Sequence, residues 1–514
     1  MRSTLFIISA LITTITAARA ADWTQWGGQA ARNMVSAEKR LPDWFDPDSQ
    51  GTAPAGSVAG VVRWKAELGI HSYGTPVISG GRVFVGTSSN LPYDSRRDIK
   101  GGGGIVCFDE KTGKLVWQLV TPKFTTKLPK FNFDHLSTGV CSTGTVEGNR
   151  LYVVSDRDEL LCLDTAGLAN GNDGPFKDEA AMMTPAGGTV VPLAGTDADI
   201  IWKLDMIDDP DVNAWPQDAA DCSPLILGDY VYVSPSNGVD ESHKNIPRPN
   251  APSIIAVDKK TGRVVVRDRA GVGPKIFHGE WSSPSAGKVN GRMLLFWGGG
   301  DGVCYAFDPR PTPPTGGDRL GTLETVWRFD VNAAAGRHGN YRTKEGPSEV
   351  ISTPVLYKNR IYVTIGQDPT HGRGHGALAC IDATKKGDIT QSGLVWLFGD
   401  IDRSISTVTI ADGLAYAADE FGMVFCLDAD TGKLHWKYDT KKPICSSPMV
   451  ADGKVYIGTD GGDLWVFAAG TQLKVINTIH VGSAIAATPV AANGTLYVQT
   501  QNWLYAVEAA KRSR

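Results

Sequence analysis

Short runs of alternating apolar residues recur along most of this 514-residue chain, and polar turns separate them. Val83–Gly86, Leu151–Val154 and Val455–Gly458 are rich in β-branched and aromatic residues, which favour strands. Turns such as Ala451–Lys454 come directly before these runs and join each one to a preceding apolar segment. The pattern predicts β-hairpins throughout the repeated part of the chain, with helix confined to the inserts.

The hairpins belong to a repeat that ends in an Asp-x-x-Thr-Gly-Lys turn followed by a tryptophan. Its clearest copies are Asp109–Trp117 and Asp428–Trp436. Each copy begins with a serine or threonine, called the anchor below, and the last two intervals between anchors are 40 and 41 residues. A period near forty with four short strands is typical of a β-propeller blade. The eight anchors are Thr75, Thr143, Ser223, Ser283, Thr353, Thr407, Ser447 and Thr488.

The repeat predicts an all-β fold, an eight-bladed propeller of four-stranded antiparallel blades over residues 61–508. The final copy has only three strands, and Val61–Leu68 matches the missing outer strand. We therefore expect the N-terminal strand to close the last blade, which leaves no sheet edge exposed there. The recurring tryptophans are expected to pack between neighbouring blades. They are Trp64, Trp117, Trp202, Trp327, Trp396 and Trp436.

Composition indicates an exported protein. Arg2, an apolar stretch over residues 5–15 and the sequence Ala18-Arg-Ala20 are typical of a signal peptide over residues 1–20, cleaved after Ala20. The net charge of −4 argues against a nucleic-acid partner, and no apolar run is long enough for a transmembrane segment. We expect a periplasmic or secreted protein with an N-terminal arm over residues 21–60 and a C-terminal tail over residues 509–514.

Long insertions point to one face of the propeller as the functional one. The loops between second and third strands are long at 88–104, 234–253 and 366–377, and so are the links between blades at 121–137, 205–221 and 330–349. These segments share one face, here called the loop face, and function on such scaffolds is carried by loops. A separate insertion, residues 165–199, joins a third strand to a fourth strand on the opposite face and contains the sequence Asn170-Gly-Asn-Asp-Gly174.

The loop face carries most of the histidines and is predicted to hold a polar site over the central channel. A flat aromatic side chain beside donors and carboxylates is what a small-ligand site requires. The competing interpretation is a rim that binds an envelope protein, and a further alternative is that histidines are merely tolerated in loops. The predicted ligand-binding residues are His278, Trp281, Asn237, Asp240, Arg337, His338 and His371.

Two segments contain side chains that could bind a metal ion. Asp368, His371 and His375 offer carboxylate and imidazole ligands, although two histidines in a glycine-rich loop are a weak signal. Asp208, Asp209 and Asp211 offer oxygen ligands for calcium, but they lack the spacing of a calcium loop, and a solvated acidic loop is the simpler interpretation.

The blade repeat resembles the pyrroloquinoline quinone (PQQ)-like propeller repeat, in forms such as Ala256–Gly262 and Cys426–Lys433. That repeat is shared by quinoprotein alcohol dehydrogenases and by the assembly factor BamB. The resemblance implies either a binding or scaffolding module or, as the alternative, an oxidoreductase that uses PQQ with calcium. The chain departs from the dehydrogenases because it has no adjacent pair of cysteines. The interpretation we favour is therefore an exported propeller that binds a ligand or a protein through its loop face.

Overall fold

A computed structural model describes residues 21–48, 51–126, 128–314, 316–367 and 374–511. Strands dominate these residues, and the helices are short pieces between strands. Two α-helices span Glu179–Met182 and Val331–Ala334, and three 3₁₀-helices span Ser95–Arg97, Gly167–Asn170 and Gly273–Lys275. All five lie in loops, links or insertions, which confirms that the repeats themselves form strands.

The strands form eight four-stranded antiparallel blades, numbered here in chain order. Blade 1 comprises Val77–Ser79, Arg82–Ser88, Gly103–Asp109 and Leu115–Val120, and blade 2 comprises Thr145–Glu147, Arg150–Val154, Glu159–Asp164 and Ile200–Asp205. Blade 3 comprises Leu225–Leu227, Tyr230–Val233, Ile255–Asp258 and Val264–Asp268, and blade 4 comprises Ser285–Val289, Arg292–Gly298, Val303–Thr312 and Gly321–Asp330. Blade 5 comprises Val355–Tyr357, Arg360–Ile365, Ala377–Asp382 and Leu394–Phe398, and blade 6 comprises Thr409–Ala411, Leu414–Ala418, Met423–Asp428 and Leu434–Asp439. Blade 7 comprises Met449–Ala451, Lys454–Gly458, Asp463–Ala468 and Val475–His480. Two further strands, Val35–Ser36 and Gly387–Asp388, pair at the margins of blades 7 and 4.

Blade 8 joins the two ends of the repeat region. Its inner strands are Val490–Ala492, Thr495–Gln499 and Trp503–Ala509, and its outer strand is Gly60–Glu67. The outer strand pairs antiparallel with Trp503–Ala509 over its whole length. The predicted closure by the N-terminal strand is therefore confirmed.

The repeated tryptophans dock each blade against the next. In each of the six cases the indole N–H donates to a backbone carbonyl at the third-to-fourth turn of the following blade, over 2.9–3.2 Å. The turn glycine lies directly against the ring, as Gly113 does on Trp64 and Gly262 on Trp202. A β-carbon on either glycine would fall about 2.6 Å from ring atoms, so glycine is needed for this contact as well as for its positive φ.

The anchors form a hydrogen-bonded ring around the propeller axis. The backbone N–H of each anchor donates to the side-chain hydroxyl of the anchor in the next blade, over 2.9–3.2 Å, at seven of the eight junctions. At the remaining junction the hydroxyl of Thr353 accepts from the indole N–H of Trp26 instead, over 3.1 Å. This arrangement explains why a hydroxyl residue recurs at this position.

The N-terminal arm crosses the face opposite the loop face and contacts every blade. Residues 23–36 make hydrogen bonds to the innermost strand of each blade, in nearly the order of the blades. Their partners, from blade 1 to blade 8, are Ile78, Val146, Pro224, Ala286, Leu356, Ile410, Val450 and Ala491. The arm therefore covers the end of the central channel on this face.

Arg32 fixes the middle of the arm. Its side chain is fully buried and donates to the carbonyl oxygens of Pro284, Pro224 and Trp26 over 2.8–2.9 Å. Burial lowers the pKa of the Arg32 guanidinium to about 9, because desolvation disfavours the charge. Carbonyl dipoles from the arm and from two blades replace the water that this cation has lost.

Two junctions lack a docking tryptophan and are closed in other ways. Between blades 3 and 4 the outer strands pair directly, Val266–Asp268 running parallel to Gly321–Leu323. Between blades 7 and 8, Asn477 donates to Asp43 and Ser57 of the arm over 3.1 Å.

All eight cysteines are free thiols, and six of them are buried. In the part of the chain that the structure describes, no helix has the length and apolar character needed to cross a membrane.

Candidate functional site

A cavity of about 420 Å³ lies on the propeller axis. Each blade contributes to its wall the residue two positions before the anchor. These eight residues are Tyr73, Cys141, Asp221, Trp281, Ile351, Ile405, Cys445 and Ala486. They share one register because every blade enters its innermost strand in the same way.

The cavity is closed at one end and accessible at the other. Trp26 of the arm contributes to its lining at the closed end, beneath the anchors Thr75 and Thr488. Leu136 and Thr138, from the link between blades 1 and 2, contribute at the loop face. Leu136 is 50% exposed and Tyr73 is 38% exposed, so the mouth of the cavity carries apolar surface open to solvent.

The lining is aromatic, aliphatic and acidic. Asp218 and Asp221 are the carboxylates on the wall, and no lysine or arginine lies among the lining residues. Burial raises the pKa of Asp221 to about 6, and the neighbouring carboxylate of Asp218 adds to the shift. The cavity therefore gains negative charge as the pH rises through about 6.

Two cysteines on the wall are paired with carboxylates. The thiol of Cys445 lies 3.6 Å from Oδ2 of Asp460, and Cys141 lies within hydrogen-bonding reach of Asp221. Burial raises the pKa of both thiols well above the ordinary value. Both are therefore neutral at physiological pH and act as wall groups, because a nucleophilic cysteine requires the thiolate.

His278 and Trp281 come together, as predicted, but only Trp281 reaches the cavity. The two rings meet edge to face with centroids 5.1 Å apart, and His278 is completely buried behind the indole. The indole N–H donates to the carbonyls of Gln217 and Ala219 over 3.2 and 3.0 Å. His278 also stacks on His243 at 4.6 Å. It is placed to position Trp281, not to touch a ligand in the cavity.

Asn237 and Asp240 lie beside this pair and hold their own loop. The side-chain oxygen of Asn237 accepts from the backbone N–H of Trp215, and its amide donates to the carbonyl of Arg248, over 2.9 and 3.1 Å. The carboxylate of Asp240 accepts from the side chains of Ser242 and Asn245. These bonds lower the pKa of Asp240 to about 2 against the opposing effect of burial. Both groups stabilise the loop backbone that pairs with Gly279.

The remaining predicted residues belong to a second cluster or lie outside the described residues. Arg337 is half-buried and donates to Glu345 over 2.8 Å, and His338 beside it is exposed. His375 lies 3.2 Å from the same Glu345 and 3.3 Å from Asp402, so it is held between two carboxylates. Asp368 and His371 lie outside the described residues, so the metal site predicted for them with His375 stays a prediction.

Of the eight wall residues that the blades contribute, only Trp281 belongs to the predicted site, although the sequence carries a signal for the other seven. Tyr73, Asp221, Cys445 and Ala486 each lie two positions before an anchor that the repeat itself reveals. Counting back from the anchors would have identified the complete wall. Loop length and histidine content point to the face on which this cavity opens but do not indicate which side chains reach the axis.

Comparisons with known proteins agree with this architecture. The solved structure of BamB from Moraxella catarrhalis matches with a TM-score of 0.52 at 13% identity, covering 87% of this chain and 99% of that one. Quinohemoprotein alcohol dehydrogenase ADHIIG from Pseudomonas putida HK5 matches with a TM-score of 0.55 at 11% identity, covering 96% and 81%. Structural matches at such identities show a common fold.

Matches to the sequences of known relatives cover short segments, whereas the structural matches cover most of the chain. The quinohemoprotein alcohol dehydrogenase ADH-IIG of Pseudomonas putida is 34% identical over 97 residues, which is 16% of this chain and 14% of that relative. The family model described as outer membrane protein assembly factor BamB matches residues 101–277 and 301–475. Because these two segments make up more than half of the chain, the protein belongs to the PQQ-like propeller family that this model describes.

Proposed function

We propose that this propeller is a binding module that takes a small organic ligand into the axial cavity, with an apolar body against Trp281 and Tyr73 and a cationic or hydrogen-bond-donating group at Asp221. The observation that carries the proposal is the cavity itself, about 420 Å³ on the axis, with a lining residue from every blade. Sites for small ligands are concave, mostly apolar and furnished with a few oriented polar groups, and their volumes run from about 300 to 1,000 Å³.

The chemistry of the wall favours a cation over an anion. Trp26, Tyr73 and Trp281 offer aromatic faces, which attract organic cations. Asp218 and Asp221 supply negative charge, and the wall lacks a basic side chain that would hold a phosphate or a carboxylate. An anionic ligand would be repelled by these carboxylates and would find no basic side chain on the wall.

A titration with benzyltrimethylammonium, followed by tryptophan fluorescence and calorimetry, tests the proposal. We expect saturable binding that strengthens as the pH rises through about 6, where Asp221 ionises. Asp221→Asn should weaken binding about tenfold, which corresponds to about 1.4 kcal/mol. Ala486→Phe should abolish it by filling the cavity from an apolar position. Leu473→Ala, at an exposed apolar residue remote from the cavity lining, is the matched control. Unchanged binding in Ala486→Phe contradicts the proposal.

A protein partner at the loop face is the second candidate, and a specific observation favours it. Leu136 and Tyr73 at the cavity mouth are exposed apolar side chains, and Ile70, near Tyr73 in the chain, is 56% exposed. Exposed apolar patches mark interaction surfaces. If a partner binds here, Ile70→Asp should eliminate its capture from envelope extracts and leave benzyltrimethylammonium binding intact, because Ile70 does not line the cavity.

The dehydrogenase alternative requires PQQ held by calcium, and Asn237 and Asp240, which carry amide and carboxylate oxygens among the predicted ligand-binding residues, do not fit that role. The amide of Asn237 and the carboxylate of Asp240 are already occupied by hydrogen bonds that hold their loop. Among the described residues, the one group of three acidic or histidine side chains close enough to share an ion includes neither of them. Addition of PQQ and calcium followed by alcohol-dependent dye reduction tests this alternative, and we expect no turnover.

We also propose that the protein works in the cell envelope. The support is the leader over residues 1–20, which lies outside the described residues, together with membership of a family described by an outer-membrane assembly factor. N-terminal sequencing of protein recovered from a periplasmic fraction should begin at Ala21. Recovery of an uncleaved chain from the cytoplasm contradicts this location.

A further inference from the structure

The insertion over residues 165–199 carries a cluster of carboxylates on the face opposite the candidate ligand site. Asp164 ends the third strand of blade 2, Asp199 precedes its fourth strand, and Asp173 lies in the loop between them. One carboxylate oxygen from each of the three residues lies within 4.8 Å of those from the other two. Asp164 and Asp199 are buried, and Asp173 is exposed.

One oxygen of this cluster is buried and receives no hydrogen bond. Oδ2 of Asp199 accepts from the backbone N–H of Asp173 over 3.0 Å. Oδ1 of the same side chain has no hydrogen-bond donor, although Asp199 is 0% exposed. An unpaired carboxylate oxygen buried away from water is costly, so such oxygens are normally paired or bound to a metal.

The charges around the cluster do not balance. Glu179 is buried beside the three aspartates, receives a hydrogen bond from Asn172 and brings the number of carboxylates to four. The cations that contact this group are Arg150, which binds Asp164, and Lys177, which binds Asn172 and the carbonyl of Asp173. Four negative and two positive charges leave a net charge of −2.

We propose that Asp164, Asp173 and Asp199 form a calcium site. Two oxygens that bind one calcium ion at about 2.4 Å cannot lie more than about 4.8 Å apart, and the three carboxylates satisfy this limit. Calcium prefers carboxylate and amide oxygens in flexible arrangements, which this loop of Asn and Asp residues supplies. Its two positive charges cancel the excess of the cluster.

The ion would fasten the insertion to the edge of blade 1. The residues on either side of Asp197 pair with the outer strand of that blade. The backbone N–H of Gln118 donates to the carbonyl of Thr196 over 2.9 Å, and the backbone carbonyl of Gln118 accepts from the N–H of Ala198 over 3.0 Å. Asp199 is the next residue along. A calcium ion bound to Asp164 and Asp199 would therefore join the core of blade 2 to the segment that covers the edge of blade 1.

Calcium and terbium titrations of the full mature chain, first stripped with chelator, test the site. Calorimetry should show one calcium ion per chain, with magnesium binding more weakly because it demands near-ideal octahedral geometry. Terbium luminescence excited through tryptophan should saturate and should be displaced by calcium. Calcium should also raise the melting temperature of the parent chain, since an ion that binds only the folded state stabilises it.

Two variants and a matched control separate a site from a diffuse charge effect. Asp173→Asn and Asp199→Asn should each weaken calcium binding at least tenfold and lose the calcium-dependent rise in melting temperature. Without calcium both variants should melt at or above the parent temperature, because a repelling charge has been removed. Asp178→Asn changes an exposed aspartate of the same insertion and should bind as the parent does. Absence of saturable binding in the parent at about 5 mM calcium, or an equal loss in Asp178→Asn, overturns the proposal.

Discussion

The backbone N–H of Thr488 donates to the side-chain hydroxyl of Thr75 over 3.2 Å, and this bond joins the last blade to the first at the propeller axis. The outer strand Gly60–Glu67 completes the same closure at the periphery, by pairing with Trp503–Ala509. Blade 8 is therefore held at both its inner and outer strands by residues that lie more than 400 positions away in the chain.

Removal of the closing strand should open the ring. We expect deletion of residues 61–68 to lower the melting temperature by about 10 °C or more, because blade 8 loses its outer strand and Trp64 no longer docks on Gly113. Differential scanning calorimetry measures the effect, and removal of the C-terminal residues 512–514 serves as the control. An unchanged melting temperature contradicts the closure.

The docking tryptophans should account for a large part of the stability. Trp117 is fully buried and Trp436 is 6% exposed, and each donates a hydrogen bond to the next blade. Trp117→Ala and Trp436→Ala should each cost about 3–5 kcal/mol of unfolding free energy in denaturant titrations. Val190→Ala, at an exposed apolar position, should change it by less than about 0.5 kcal/mol. A cost below about 1 kcal/mol for either tryptophan contradicts its role between blades.

Removal of the Arg32 side chain should lower the free energy of unfolding as much as removal of a buried aromatic side chain. Arg32→Ala removes the donor from carbonyls of Pro284, Pro224 and Trp26, and we expect a loss of about 3–5 kcal/mol. Arg32→Lys should recover only part of this loss, because a single ammonium group lacks the fork of donors that reaches all three carbonyls. Lys39→Ala, at an exposed position of the arm, is the control. Equal stability of Arg32→Ala and the parent would show that the arm is not fixed by this residue.

Stability should depend on pH through Asp156. Burial raises the pKa of Asp156 to about 8, and the neighbouring charge of Asp134 adds to this, whereas an aspartate in an unfolded chain titrates near 3.9. A group with a raised pKa in the folded state favours folding below its unfolded pKa, and this contribution is lost as the pH rises through about 8.

Asp156→Asn should remove that dependence. Asparagine keeps the oxygen that accepts from the hydroxyl of Thr121 over 2.6 Å but does not ionise. The melting temperature of Asp156→Asn relative to the parent should therefore increase steadily between about pH 5 and pH 8. Asp208→Asn, at an exposed aspartate, should show no such trend. A constant difference between Asp156→Asn and the parent contradicts the shifted pKa.

The sequence predicts the fold well because the repeat records contacts that most blades make. A hydroxyl at Thr75 or Thr488 and a tryptophan at position 117 recur because most blades make the same bonds to the next, seven through the anchor hydroxyl and six through the tryptophan. The repeat gives the positions of the cavity wall, two before each anchor, but residue types there, such as Asp221 and Ala486, differ from blade to blade, so the repeat does not predict the chemistry of the cavity.

The burial of His278 also could not be predicted from the local sequence. His278 comes shortly before an innermost strand, and it lies against Trp281. Its complete burial, however, follows from the packing of His243 and Trp281 around it, which depends on loops from two blades. Side-chain exposure of that kind is set by distant segments and is not encoded in the local pattern.

The arm that crosses all eight blades has a consequence for the order in which the chain matures. Residues 23–36 are synthesised before any blade, yet their hydrogen-bonding partners extend from Ile78 to Ala491. The arm therefore precedes every blade in the order of synthesis and can complete its contacts only after nearly the whole chain has been made. The blade carbonyls that hold Arg32, those of Pro224 and Pro284, are made well before the partners in the last blades. The full set of arm contacts can therefore exist only when all eight blades are in place.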